Sequence, residues 1–150
     1  MSAAPTAASS NDPLALLRGI NATAAFNRWC DLEVTQAAPG SAEIRLPWKP
    51  DLGQYAGYLH AGVVGALIDT ACGYAAATLV GRVLASHYAV NCLRPAVGDA
   101  FIARAKVIKA GRTQVFTHCE LFGLSSGEET LVATGETLLT VLGDKPSAPA

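Results

Sequence analysis

Charge is scarce in this sequence. Acidic and basic residues make up 15% of its 150 residues and nearly cancel, for a formal net charge of −1 at pH 7. No basic stripe of the kind that neutralises a phosphate backbone is present, so nucleic acid is not an expected partner. The 4 cysteines (Cys30, Cys72, Cys92 and Cys119) stand singly, without a CxxC pair or a histidine at ligand spacing. That argues against a metal site or a disulfide framework and for reduced core thiols, with a reducing cytoplasm as the expected location. The first ten residues carry neither a basic segment nor an apolar one, so no secretory signal is expected there. The longest apolar stretch, Val63 to Val80, is interrupted by Asp69, Gly73 and Thr78. It reads as a buried helix and not as a membrane span, and no membrane association is expected.

Apolar side chains are plentiful: 51% of the residues are hydrophobic. A chain of this length buries roughly two-thirds of its unfolded surface, enough for a core, and the surplus of apolar residues suggests that a partner subunit covers some of them. One domain is expected over residues 11–143. The Ala-, Ser-, Pro- and Thr-rich segments 1–10 and 144–150 are expected to be disordered tails.

Along the chain, Asn11-Asp12-Pro13 opens a helical pattern with Leu14, Leu17 and Ile20, and with Phe26 and Trp29 further on. Strand-like runs at 32–36 and 42–46 flank the turn signal Ala38-Pro39-Gly40 and predict a hairpin. Residues 48–58 show no periodicity and read as a long loop. From about Ala61 to Val80 apolar residues recur at three and four (Val64, Ile68, Ala71, Cys72, Ala75, Leu79), which predicts a helix. Four alternating runs follow, around 88–93, 101–108, 113–122 and 131–142, with turns near 95–99, 110–111 and 125–127. The order predicts an α+β fold, an antiparallel sheet wrapped around one long helix.

Asp69 is the sole charge on that helix. Gly62, Gly65, Ala66, Gly73 and Ala76 fall within roughly 60° of it around the axis. A glycine inside a helix costs about 1 kcal/mol against alanine, so this stripe implies a close approach, either of backbone and packing partners or of a ligand. A desolvated carboxylate near the free amides of a helix N-terminus, around Ala61 and Gly62, has the parts of an acyl-transfer centre.

The segment His60-Ala61-Gly62, followed by Leu67-Ile68-Asp69-Thr70, Gly73 and Ala75-Ala76, resembles the signature helix of hotdog-fold acyl-CoA thioesterases of the phenylacetate-degradation (PaaI-like) type. Leu93-Arg94-Pro95 with Gly98-Asp99, and Lys109-Ala110-Gly111-Arg112, extend the resemblance, which covers about residues 25–142. Ala61 departs from the family's usual glycine. The resemblance implies a hotdog fold of five to six strands and hydrolysis of an acyl-CoA, aryl or short to medium chain, with Asp69 as nucleophile or general base. It implies that Gln54 of the opposing subunit assists at the thioester carbonyl. It further implies a homodimer that builds the site across its interface, commonly paired into a tetramer, with no cofactor beyond the coenzyme A of the substrate.

Within that reading Gly62 is the expected oxyanion donor and Ser86 the candidate for orienting the water. His60 serves as a base or, as is commoner in the family, fixes the start of the helix. Ala61 would lie against the thioester. Arg94 and Arg112 are candidate contacts to coenzyme A, since guanidinium matches phosphate, although arginines at turns are usually just solvated. Tyr55 and Tyr58, with Trp48, either line the acyl pocket or anchor their loop. His87 and His118 read as ordinary strand residues. The alternatives are a hotdog enoyl hydratase or dehydratase, which needs a histidine and acid pair, and a non-enzymatic acyl-CoA-binding protein.

Overall fold

A computed structural model describes residues 11–143. The chain opens with helix α1 (Pro13–Thr23), whose N-cap Asp12 accepts a hydrogen bond from the Leu14 N–H at 3.0 Å. The helical pattern does not continue unbroken to Trp29. Ala24 adopts an extended conformation (φ −81°, ψ 117°), and a short helix α2 (Ala25–Trp29) restarts at an angle. Long-range contacts enforce the break: the Asn21 side chain donates to the Leu32 carbonyl at 2.8 Å, and Asn27 is buried.

Strands β1 (Glu33–Ala38) and β2 (Ser41–Pro47) form the expected hairpin, turning at Gly40 with φ 80°. The loop after β2 contains a single 3-10 turn (Pro50–Leu52) and a bridge between Gly53 and Leu59. It leads into α3 (Ala61–Val80), which occupies the range that its periodicity predicts. Strands β3 (Val83–Cys92), β4 (Ala100–Ala110), β5 (Gln114–Ser125) and β6 (Glu128–Val141) complete the chain. All pairings are antiparallel, in the order β1-β2-β4-β5-β6-β3, giving one sheet of six strands.

Helix α3 touches all six strands. Its Leu67, Ile68, Ala71, Cys72 and Ala75 are buried among Ile44, Leu46, Phe101, Ala103, Cys119, Leu121 and Ala133 from the sheet. Burying each large aliphatic side chain contributes about 1.5–3 kcal/mol, so α3 and the concave sheet face hold each other in place. This is the hotdog arrangement that the motif resemblance implies. By length and composition α3 could cross a membrane, but here it is the helix that the sheet wraps.

Three details differ from expectation. Leu79 is exposed and lies beside Gly40, outside the core. Cys92 is exposed, whereas Cys30, Cys72 and Cys119 are buried; all are free thiols. Strand β3 begins five residues before the alternating run that signals it, because it lies at the edge of the sheet, where little of it is buried and little alternation is required. The expected tails at 1–10 and 144–150 lie outside the described residues.

Candidate active site

The start of α3 is built from a capped turn. His60 is the N-cap, extended at φ −61° and ψ 135°, and its Nδ1 accepts the Gly62 N–H at 2.8 Å. The backbone amide expected to hold an oxyanion is therefore already engaged, and a Cβ at Gly62 would crowd that imidazole nitrogen at 3.0 Å. In the first turn of α3 the Val63 and Val64 N–H groups donate to the His60 carbonyl, and the Ala61 N–H is left without an acceptor among the described residues. His60 holds the helix start, since an accepting Nδ1 places the ring proton on Nε2.

Ala61 lines a cavity of about 410 Å³ together with Gln54, Tyr58, Val64, Cys92 and Arg94. The Gln54 Oε1 accepts the Ala56 N–H, which closes the loop on itself and leaves the Nε2 group as a donor. Tyr55, expected at the acyl pocket, is fully exposed and lines neither this cavity nor the one around Asp69. Trp48 anchors the loop instead, edge-on to Phe101 at 6.3 Å and against Gly53. Arg112 sits in the β4–β5 turn, away from both cavities.

Asp69 lies two turns further along α3, about 10 Å up the axis from Gly62. It faces a separate cavity of about 670 Å³, lined by α1, α2, the second half of α3 and the start of β3. Among the described residues it forms no ion pair and accepts no hydrogen bond. Burial alone therefore raises its pKa above the ordinary aspartate value. A carboxylate that is desolvated and unpaired at the wall of a cavity is a candidate functional group.

The stripe of small residues has a mixed explanation. Gly65 lies under the Tyr88 ring, where an added Cβ would meet Cε2 at 3.3 Å, so packing accounts for it. Gly73 borders the Asp69 cavity and is free of such crowding. Ser86, the candidate for orienting water, occupies a bulge in β3 and donates its hydroxyl to the Leu138 carbonyl at 3.1 Å; Ala85, and not Ser86, borders the Asp69 cavity.

Thr70 of the Leu67-Ile68-Asp69-Thr70 segment borders that cavity too, as do Asn27, Tyr74 and Arg82, which sequence reasoning missed. No group of three or more His, Cys, Asp or Glu side chains suited to a metal ion occurs among the described residues.

The family model described as Thioesterase superfamily matches residues 56–130. A Halobacterium salinarum protein designated a candidate esterase is 32% identical over 124 residues, covering 75% of this chain and 82% of that one. A crystal structure of a thioesterase family protein from Silicibacter pomeroyi is 33% identical and superimposes with a TM-score of 0.82 over 86% of this chain and 97% of that one. The Escherichia coli PaaI protein, from the phenylacetic acid degradation operon, shares the fold at a TM-score of 0.76 and 21% identity, over 87% of this chain and 96% of that one.

Proposed function

The chain belongs to the thioesterase superfamily and is a thioester or ester hydrolase, and from that premise we propose that it cleaves acyl-CoA at sites shared between two copies of itself. One observation carries this reading. Strand β3 is one of the two edge strands of the sheet, β1 being the other, and it runs from the Asp69 cavity, which Val83, Leu84 and Ala85 line, to the Ala61 cavity, which Cys92 lines. An edge of unpaired backbone groups is a template for another strand. If β3 pairs antiparallel with β3 of a second copy about a two-fold axis, the Asp69 end of each chain meets the Ala61 end of the other. The two half-sites, about 12 Å apart along one helix and so unable to meet on one carbonyl within a chain, then close on it.

In the completed site the Ala61 N–H takes the oxyanion role that Gly62 cannot fill while His60 caps it. The Gln54 Nε2 group assists from the same subunit. Donors aimed at the developing oxyanion are commonly the largest source of rate in acyl transfer. Asp69 of the facing subunit acts in its ionised form on the carbonyl carbon, directly or through water. The thioester C–S bond breaks, water supplies the hydroxyl of the acid, and the coenzyme leaves as its thiol. Arg94, beside Gln54, is placed to meet a phosphate of the coenzyme. His60, which the second copy brings with Ala61, is engaged through Nδ1 as the N-cap of α3, which speaks against the histidine and acid pair of a hydratase.

Subunit mixing tests this. Gln54→Ala and Asp69→Asn chains are each expected to be nearly inactive alone. Dimers reassembled from an equal mixture contain some sites with both native halves, and about a quarter of wild-type activity returns. A mixture no more active than the sum of its parts contradicts a shared site.

A further inference from the structure

The two edges of the sheet differ in their cover. At the β1 edge α1 packs against the strand and its side chains take up backbone carbonyls: Arg18 Nε donates to the Val34 carbonyl at 3.2 Å, and Asn21 Nδ2 to that of Leu32, just before the strand, at 2.8 Å. At the β3 edge the described residues supply no such cover, since the side-chain hydrogen bonds of that strand, from Ser86 and Asn91, run inward to β6. An uncapped strand edge calls for another strand. Midway along it Tyr88 is 51% exposed, with one side of its ring against Gly65 of α3. A large aromatic left open at such an edge is the kind of group that anchors an interface.

Two measures place the same residue at the axis between paired copies. Along β3 a bulge at Ser86 separates Ala85, paired with Leu139, from His87, paired with Leu138, so Val83, Ala85, Tyr88, Val90 and Cys92 share the face toward α3. Setting Val83 at the Asp69 end against Cys92 at the Ala61 end, inward residue against inward residue, pairs Ala85 with Val90 and Tyr88 with itself. Along α3, Gly65 stands midway between Ala61 and Asp69, and it is Gly65 that the Tyr88 ring covers. We infer that the two Tyr88 rings meet on the two-fold axis, where they fix the register that brings Asp69 of one copy to Ala61 of the other and stand between the two active sites. The inference rests on the shared site proposed above and makes Tyr88 its positioning residue. A slip of one residue would put His87 or Ala89 on the axis, both facing away from α3.

Disulfide trapping with diamide, in a Cys92→Ser background, tests the register without any substrate. Tyr88→Cys chains are expected to crosslink to each other about 10-fold or more faster than His87→Cys or Ala89→Cys chains, since directly opposed strand residues lie within disulfide reach and diagonal ones do not. An equal mixture of His87→Cys and Ala89→Cys chains, reassembled together, should crosslink between the two kinds, which decides the register with Tyr88 intact if Tyr88→Cys does not fold. Faster self-crosslinking at His87 or Ala89, or none in the mixture, overturns the inference. Should the subunit mixing described above still restore activity, the shared site stands with its axis elsewhere; wild-type chains that stay monomeric by light scattering overturn both. The positioning role has its own readout. Tyr88→Ala should weaken the dimer about 30-fold, so that specific activity rises with protein concentration, while Tyr88→Phe, which keeps the ring, should dimerise as wild type does. A Tyr88→Ala dimer as tight as wild type contradicts that role.

Discussion

The Nδ1 of His60 accepts the backbone N–H of Gly62 at 2.8 Å, tying the start of α3 to the side chain just before it. This bond gives a histidine that might pass for a base a structural task. Losing an N-cap costs about 1 kcal/mol, so His60→Ala should melt about 2–4 °C below wild type. Asparagine caps helices well, and His60→Asn should recover both the melting temperature and most of kcat. A normal melting temperature with collapsed kcat in His60→Asn would instead place the imidazole in the chemistry.

Burial makes Asp69 hold its proton to a higher pH than a free aspartate, whose ordinary value is 3.8. In the proposed mechanism the ionised form does the work. The kcat/KM profile should therefore fall with unit slope on the acid side, through an inflection above that ordinary value.

The same shift acts on stability. Because the folded-state pKa is raised, the stabilising contribution of this group is complete below the unfolded-state pKa and is lost as pH rises through the folded-state one. Asp69→Asn cannot ionise and escapes that loss. It should melt higher than wild type at neutral pH, with the gap closing on acidification when both are scanned by calorimetry, a case of stability given up for function.

Gly135 on β6 lets α3 sit close to the sheet beside the site. An added Cβ would lie 2.6 Å from Ile68 Cγ2 and 2.7 Å from the Ala89 carbonyl oxygen. Overpacking of this kind costs about 1–3 kcal/mol. Gly135→Ala should lower the melting temperature and, because Ile68 adjoins Asp69, also lower kcat/KM with any acyl thioester that is hydrolysed.

The elements most legible in the sequence were those whose pattern is set locally. Helix α3 announces itself through an unbroken apolar stripe, and Asp69 stands out because it is the one charge within it. The break at Ala24 was hidden, since alanine favours helix and the interruption comes from Asn21 and Asn27 reaching residues distant in sequence. Strand β3 was shortened because an edge strand need not alternate. The two-turn spacing of Gly62 and Asp69 was readable in the sequence, but not that Ala61, beside Gly62, and Asp69 line different cavities. Tyr55 was a candidate as an aromatic of the loop before α3, and Arg112 as an arginine in a turn that resembles the family's, but neither lines either cavity in the single chain.

Thiol release from an acyl-CoA by Asp69→Asn, measured beside wild type with the oligomeric state of both checked by light scattering, is the most direct test of the assigned chemistry. A drop of about a thousand-fold or more in kcat, in a protein that assembles as wild type does, is the expected result. Substantial turnover by the correctly assembled variant would show that another group cleaves the thioester.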